Sequence, residues 1–155
     1  MQNAPLLTDR TALIRNRSRA SDRFLHDIAR DELLDRLSLV NRAFKDPIIV
    51  GPSDNFLPDA RLIDDAETLD VIPASHDLAI HFMALHWAND PVGQIIQSAR
   101  ALRPDGHFQA ACLGGQTLHE LRACLAQAES EVTGGLSPHI APMGEIRDLG
   151  ALLQR

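Results

Sequence analysis

Apolar and polar positions are most sharply ordered over residues 77–115, where the pattern reads strand, turn, helix, tight turn, strand. Leu78, Ala79, Ile80, Phe82, Met83 and Leu85 form a nearly unbroken apolar run, as expected of a parallel strand covered on both faces. Asp90 followed by Pro91 predicts a helix start: a carboxylate caps free N–H groups, and the proline lacks one. Val92, Ile95, Ile96, Ala99 and Leu102 recur at helical spacing and give one buried stripe. Arg103-Pro104-Asp105-Gly106 stops that helix and turns the chain into a second strand over 107–113. Together these elements make one βαβ unit, which chain sterics render right-handed.

The rest of the chain is less regular. Residues 1–7 read as a loose end, and 8–19 as a short basic helix begun by Thr8 or Asp9, with Leu13 and Ile14 inward. Ser21 or Asp22 caps a longer helix whose stripe is Phe24, Leu25, Ile28, Leu33, Leu34, Leu37 and Val40, and Lys45-Asp46-Pro47 ends it. Ile48-Ile49-Val50 is a brief strand closed by Gly51-Pro52. Residues 53–59 are polar and turn-like, 60–64 form another short strand, and 66–73 a loop or helical turn. Thr117 and Glu120 have the spacing of a capping box for a helix that buries Leu118, Leu121, Leu125 and Ala128 and stops before Gly134-Gly135. A loop at 137–142 leads to a last helix over 144–154 with Ile146, Leu149, Leu152 and Leu153 inward. The expected architecture is α/β, a three-layer Rossmann-like domain with a mostly parallel sheet. Residues 1–46 form a helical segment packed on the core, and 47–155 the domain itself. The helices of 8–40 are expected on one side of the sheet, together with the 90–102 or the 117–131 helix.

Composition narrows the function classes. At 155 residues the chain suits one domain with a single core. A net charge of −6 argues against generic nucleic-acid binding, which depends on neutralising phosphates. Cys112 and Cys124 stand at no metal-ligand spacing and read as inert thiols of a reduced, cytoplasmic compartment. No apolar run approaches membrane-spanning length, and Asp9 and Asp22 interrupt the Arg-rich start that would otherwise suggest a transit peptide.

The order apolar strand, Leu85-His86-Trp87 with Asn89-Asp90, helix, Pro104-Asp105-Gly106, strand resembles the fourth and fifth strands of class I S-adenosylmethionine (SAM) methyltransferases. Within that family it resembles the branch of the biotin-pathway methyltransferase and, better, the methyltransferase-like assembly factor of respiratory complex I. Gly114-Gly115-Gln116-Thr117-Leu118-His119-Glu120-Leu121-Arg122, Gly134-Gly135-Leu136-Ser137-Pro138-His139 and Asp148-Leu149-Gly150-Ala151-Leu152-Leu153 carry the rest of the resemblance, with the stretches 9–23 and 37–44. It implies SAM as cofactor and a protein partner that is methylated or assembled. It also implies a seven-stranded sheet, of which the last two strands would follow Arg155. The strand over 107–113 is then left with an open apolar edge, and a homodimer or an aggregation-prone monomer is expected.

The resemblance breaks where the cofactor turn should be. The family pattern there is an acidic residue and several glycines, which let a ligand approach the backbone. This chain has Val50-Gly51-Pro52-Ser53-Asp54-Asn55-Phe56, with one glycine and then a proline. Residues 51–60 are also too few for the usual helix crossover, which takes about a dozen residues. Two function readings therefore stand: a SAM-dependent methyltransferase acting on a protein or small acid, or a non-catalytic methyltransferase-like binding and assembly module that has lost the turn.

Candidate site residues follow from the resemblance and from their place along the chain. Gly51 is the remaining cofactor-turn glycine, and Asp65 matches the acid near the adenine, or else is a solvated turn carboxylate. His81, His86 and Trp87 sit at the ligand-binding end of the central strand, lining a pocket or plugging the sheet top. Ser137, Pro138 and His139 form a substrate loop or lid, or a loop that packs against the sheet end and locks the last helix. His76, His81 and His86 are five residues apart, which supports no metal site. Arg10, Arg15, Arg17, Arg19 and Arg23 read as a solvated charged face, or as a patch for an acidic partner or anionic cofactor. No catalytic residue is assigned.

Overall fold

The computed structural model describes residues 6–52 and 55–154. The expected loose end lies mostly outside them, as do Ser53 and Asp54 of the polar turn. The elements run α1 (Arg10–Arg19), α2 (Phe24–Ser38), β1 (Pro47–Val50), β2 (Arg61–Ile63), β3 (His76–Phe82), a 3₁₀ turn (Leu85–Trp87), α3 (Pro91–Ala101), β4 (Leu102–Ala111), α4 (His119–Thr133) and α5 (Ile146–Leu152). Packing divides the chain into two compact units, Met1–Cys112 and Leu113–Arg155.

The first unit holds a four-stranded, all-parallel sheet in the order β2-β1-β3-β4. Ile48, Val50, Ile63, Leu69, Ala79 and Ala101 form its main core cluster. The central βαβ unit is as the pattern predicts: Asp90 caps α3 by accepting from the Gly93 N–H at 2.7 Å, and Pro91 opens the helix. β4 begins earlier than expected. Leu102 pairs with His76 and His107 with Leu78, so the Arg103-Pro104-Asp105-Gly106 turn is a bulge inside the pairing, and Asp105 takes φ 64° there.

Successive strand residues face opposite sides of a sheet. His81 hydrogen-bonds Gln94 of α3, whereas Phe82 meets the His26 ring of α2 at 6.0 Å, so α2 and α3 cover opposite faces. Of the two helices expected beside α2, the one over 90–102 therefore lies on the other face. α2 ends at Ser38, well before Pro47, and its inward line is His26, Arg30, Leu33 and Leu37. Phe24, Leu25 and Ile28, expected inward, are exposed, as is Ile14 of α1.

Parallel neighbours β1 and β2 are joined by residues 51–60 without a helix among the described ones. Asn55 braces this link, donating to the Ala60 carbonyl at 3.0 Å and accepting from the Leu57 N–H at 3.2 Å.

In the carboxy-terminal unit the capping box does not form. Leu118 takes φ 56° at the start of α4, and the Thr117 hydroxyl donates to the Gly114 carbonyl at 2.7 Å. Leu118, Leu121 and Ala128 are exposed and Leu125 is half-buried; in α5, Ile146 and Leu153 are exposed while Leu149 and Leu152 are half-buried.

Candidate functional site

The carboxyl ends of β1, β2 and β3 gather Gly51, Asp65 and His81 with the 3₁₀ turn at one edge of the sheet. Open α/β sheets take ligands at this edge. Here α1 lies against it. Asp9 caps α1 through the Ala12 N–H at 3.0 Å. Arg10, Leu13 and Arg17 share one helix face by their spacing, and Leu13 is buried.

Both arginines converge on Asp65. Arg10 donates Nη1 to Oδ2 at 3.2 Å and Nη2 to Oδ1 at 3.1 Å, while Arg17 donates Nη1 to Oδ1 at 2.9 Å and Nη2 to Oδ2 at 3.0 Å. The Asp65 side chain is 4% exposed. Burial pushes its carboxyl pKa up, but hydrogen bonds and charge from Arg17 and Arg10 outweigh that and hold it at about 2. The Arg10 guanidinium is raised in turn, first by its hydrogen bond to Asp65 and, after the opposing effect of burial, by the charges of Asp65, Asp64 and Glu67. The basic face expected in solvent is thus split: Arg10 and Arg17 turn inward, and Arg15, Arg19 and Arg23 stay exposed.

Asn89 holds the chain as it enters α1. Its Oδ1 accepts from the Leu7 and Thr8 N–H groups at 2.8 and 2.9 Å, and its Nδ2 donates to the Thr8 carbonyl at 3.4 Å.

Beneath the edge lies a polar link through the core. Gln94 Nε2 donates to the carbonyls of Asp65 and Ala66 at 3.1 and 2.9 Å, which leaves its Oε1 to accept from His81 Nε2 at 2.7 Å. His81 therefore carries its proton on Nε2, and its buried Nδ1 has no hydrogen-bond partner. Burial lowers the His81 pKa, so the ring is neutral. His86 and Trp87 are half-buried, with ring centroids 5.2 Å apart. Burial, then the Arg17 and His26 charges, push His86 down to about 4.

Gly51 adopts φ 129°, and a Cβ there would stand 2.2 Å from the Phe82 carbonyl oxygen. Its N–H donates to the Ile63 carbonyl at 3.0 Å. Behind this turn a cavity of about 320 Å³ is lined by Arg23, His26, Asp27, Arg30, Phe56 and Phe82, among others.

Ser137, Pro138 and His139 belong to the carboxy-terminal unit and are exposed. The Ser137 N–H donates to Glu129 Oε2 at 2.7 Å, and His139 Nε2 lies 3.2 Å from the same oxygen. These contacts fold the loop back on α4. Among the described residues no group of three His, Cys, Asp or Glu side chains is placed to hold a metal.

Arg10 and Arg17 were legible only as part of a basic face or patch, not as partners of Asp65, and the roles of Asn89 and Gln94 were not legible at all. The signals were slight: two arginines seven residues apart around one leucine, and a glutamine within the apolar stripe of α3.

SAM does not fit this edge as it stands. The backbone freedom of Gly51 is used against the Phe82 carbonyl, and Asp65, which the resemblance sets near the adenine, is occupied by two arginines.

No family model matches the chain. Among curated proteins it is 37% identical to "Arginine-hydroxylase NDUFAF5, mitochondrial" of Mus musculus, over 89% of this chain and 45% of that protein. It is 35% identical to "Putative methyltransferase RP459" of Rickettsia prowazekii, over 57% of this chain and 39% of that protein. It is also 41% identical to "Malonyl-[acyl-carrier protein] O-methyltransferase" of Hahella chejuensis, over 46% of this chain and 24% of that protein. The chain spans less than half the length of these relatives. The methyltransferase names imply SAM use at the level of the family. With its parallel α/β sheet and these relatives, the chain belongs to the class I methyltransferase-like family, in the assembly-factor branch.

Proposed function

We propose that this chain is a methyltransferase-like binding and assembly module that holds a protein partner at the carboxyl edge of its sheet without transferring a methyl group. One observation carries the reading: the Asp65 carboxylate receives four hydrogen bonds from Arg10 and Arg17 and has none of the openness that an adenine needs. The relatives named as arginine-hydroxylases suggest the partner's chemistry, an arginine side chain presented by a protein. A planar guanidinium is the group that a buried carboxylate recognises best, through paired hydrogen bonds. The cytoplasm is the proposed compartment, on the strength of two free thiols.

A second reading, SAM-dependent methyl transfer to a protein or small acid, is favoured by the methyltransferase names among the relatives. Calorimetry with SAM and S-adenosylhomocysteine separates the two. The module reading expects no saturable heat at micromolar ligand. Saturable binding that Asp65→Ala weakens overturns it.

A further inference from the structure

We propose that α1 is an internal competitor for the partner: Arg10 and Arg17 occupy a guanidinium receptor centred on Asp65, and a partner's arginine takes the site when α1 lifts away. The inference rests on the reading of this edge as a partner-binding site and adds how that site is regulated.

The way α1 is attached supports release. The helix has ten residues, below the length of about 12–15 at which an isolated helix becomes marginally stable, so docking must sustain it. Yet its buried residue is Leu13 alone, and Ile14 is 60% exposed. What fixes α1 is therefore polar: the two arginines on Asp65 and the Asn89 contacts to Leu7 and Thr8. Such contacts are exchangeable, because an arginine from another chain makes the same paired bonds. An apolar helix face has no comparable substitute.

Electrostatics selects the replacement. Asp64, Asp65 and Glu67 all lie close enough to raise the Arg10 pKa. With α1 docked, these three carboxylates lie near the Arg10 guanidinium, and Asp65 binds that of Arg17 as well. With α1 lifted they face neither, and the edge becomes a receptor for a cation. The Asp65 oxygens each accept from both arginines, a fork geometry that an ammonium group cannot copy. If the site is open in roughly one to ten percent of molecules, apparent partner affinity is reduced about ten- to a hundredfold, and removing the competitor restores it.

The test uses the full chain and a dye-labelled short peptide with one arginine, beside its lysine and citrulline counterparts, read by fluorescence anisotropy. Arg10→Gln with Arg17→Gln should bind the arginine peptide about tenfold or more tighter than the wild type. Asn89→Ala, which loosens the strap and keeps both arginines, should fall between. Adding Asp65→Asn should abolish the gain, and the lysine and citrulline peptides should gain little. In the wild type, saturating arginine peptide should speed amide hydrogen exchange across Arg10–Arg19.

Equal binding of the three peptides, or no gain in variants whose circular dichroism is native, overturns the proposal. So does peptide binding that leaves exchange in α1 unchanged. Should the double variant fail to fold, Asn89→Ala and the exchange measurement decide by the same criteria. SAM calorimetry reports on the module reading alone, so the two proposals can fail separately.

Discussion

His81 is coupled to Asp65 through a single amide side chain. Gln94 accepts from the His81 imidazole at 2.7 Å and donates to the Asp65 carbonyl at 3.1 Å, so the middle of the sheet and its carboxyl edge share one hydrogen-bonded path. All three residues are buried, where an unmade hydrogen bond costs more than a made one gains.

Gln94→Leu should therefore destabilise the protein out of proportion to the bonds removed. It strands the His81 donor and the carbonyls of Asp65 and Ala66, at a cost of about 2–3 kcal/mol. Gln97→Ala should cost less, since Gln97 bonds Leu69 and Glu67 at a wetter position. Urea unfolding of both variants checks the ranking, and equal midpoints would contradict it.

Acid should weaken the protein in two steps. The His86 pKa is lowered to about 4, so the ring is neutral when folded and protonates more readily when unfolded. Its contribution is complete above an ordinary histidine pKa of about 6.5 and is lost as pH falls towards 4. Asp65 is lowered from 3.8 to about 2; its contribution is complete above 3.8 and disappears as pH falls through 2. That second step amounts to roughly 2 kcal/mol. Unfolding free energy measured against pH should show both, and Asp65→Asn should remove the lower one.

Glu129 should control the loop at Ser137. Its pKa is lowered, first by the hydrogen bonds from Ser137 and then by His139, so the clasp is present at neutral pH and is lost as the carboxylate protonates in acid. In Glu129→Gln the Ser137 amide should exchange its hydrogen markedly faster at pH 7. Unchanged exchange would mean that the clasp does not order the loop.

Among the described residues β4 pairs with no strand on its outer side, and we propose that a chain of these 155 residues pairs with a second copy through that edge. Light scattering at high concentration should give twice the chain mass, and Ala111→Glu should halve it. A clean monomer for the wild type would defeat the expectation.

The central βαβ unit was legible because Asp90-Pro91 opens its helix and Pro104-Asp105-Gly106 marks the bend after it, although that bend is a bulge within β4 and the strand starts earlier, at Leu102. The phase of α2 was not. Phe24, Leu25 and Ile28 look like its inward face, yet His26 and Arg30 point towards the cavity because the start of the helix lies beside the post-β1 turn and Phe82. Long polar side chains can line such a place with their stems, and hydropathy does not register this. The site was legible as far as topology carries it: Asp65, His81 and His86 do gather at one edge. The partners of Asp65 stand 55 and 48 residues away in sequence, and no local pattern marks a pairing of that range. The capping box failed for a local reason, since the left-handed turn at Leu118 sends the Thr117 hydroxyl back to Gly114.

Gly51 looks like the last trace of a cofactor turn, and the packing gives it a different reason to persist. Met83, just beyond β3, takes φ 48° and donates to the Ala111 carbonyl, and the Phe82 carbonyl is left where any side chain at position 51 would strike it. The residue is then constrained by its own neighbour in the fold. Across related chains it would stay invariant whether or not a nucleotide is ever met, so its persistence is no sign of retained chemistry. A position that could carry such a sign is one whose side chain the fold leaves free, and at this edge the arginines of α1 have claimed the obvious one.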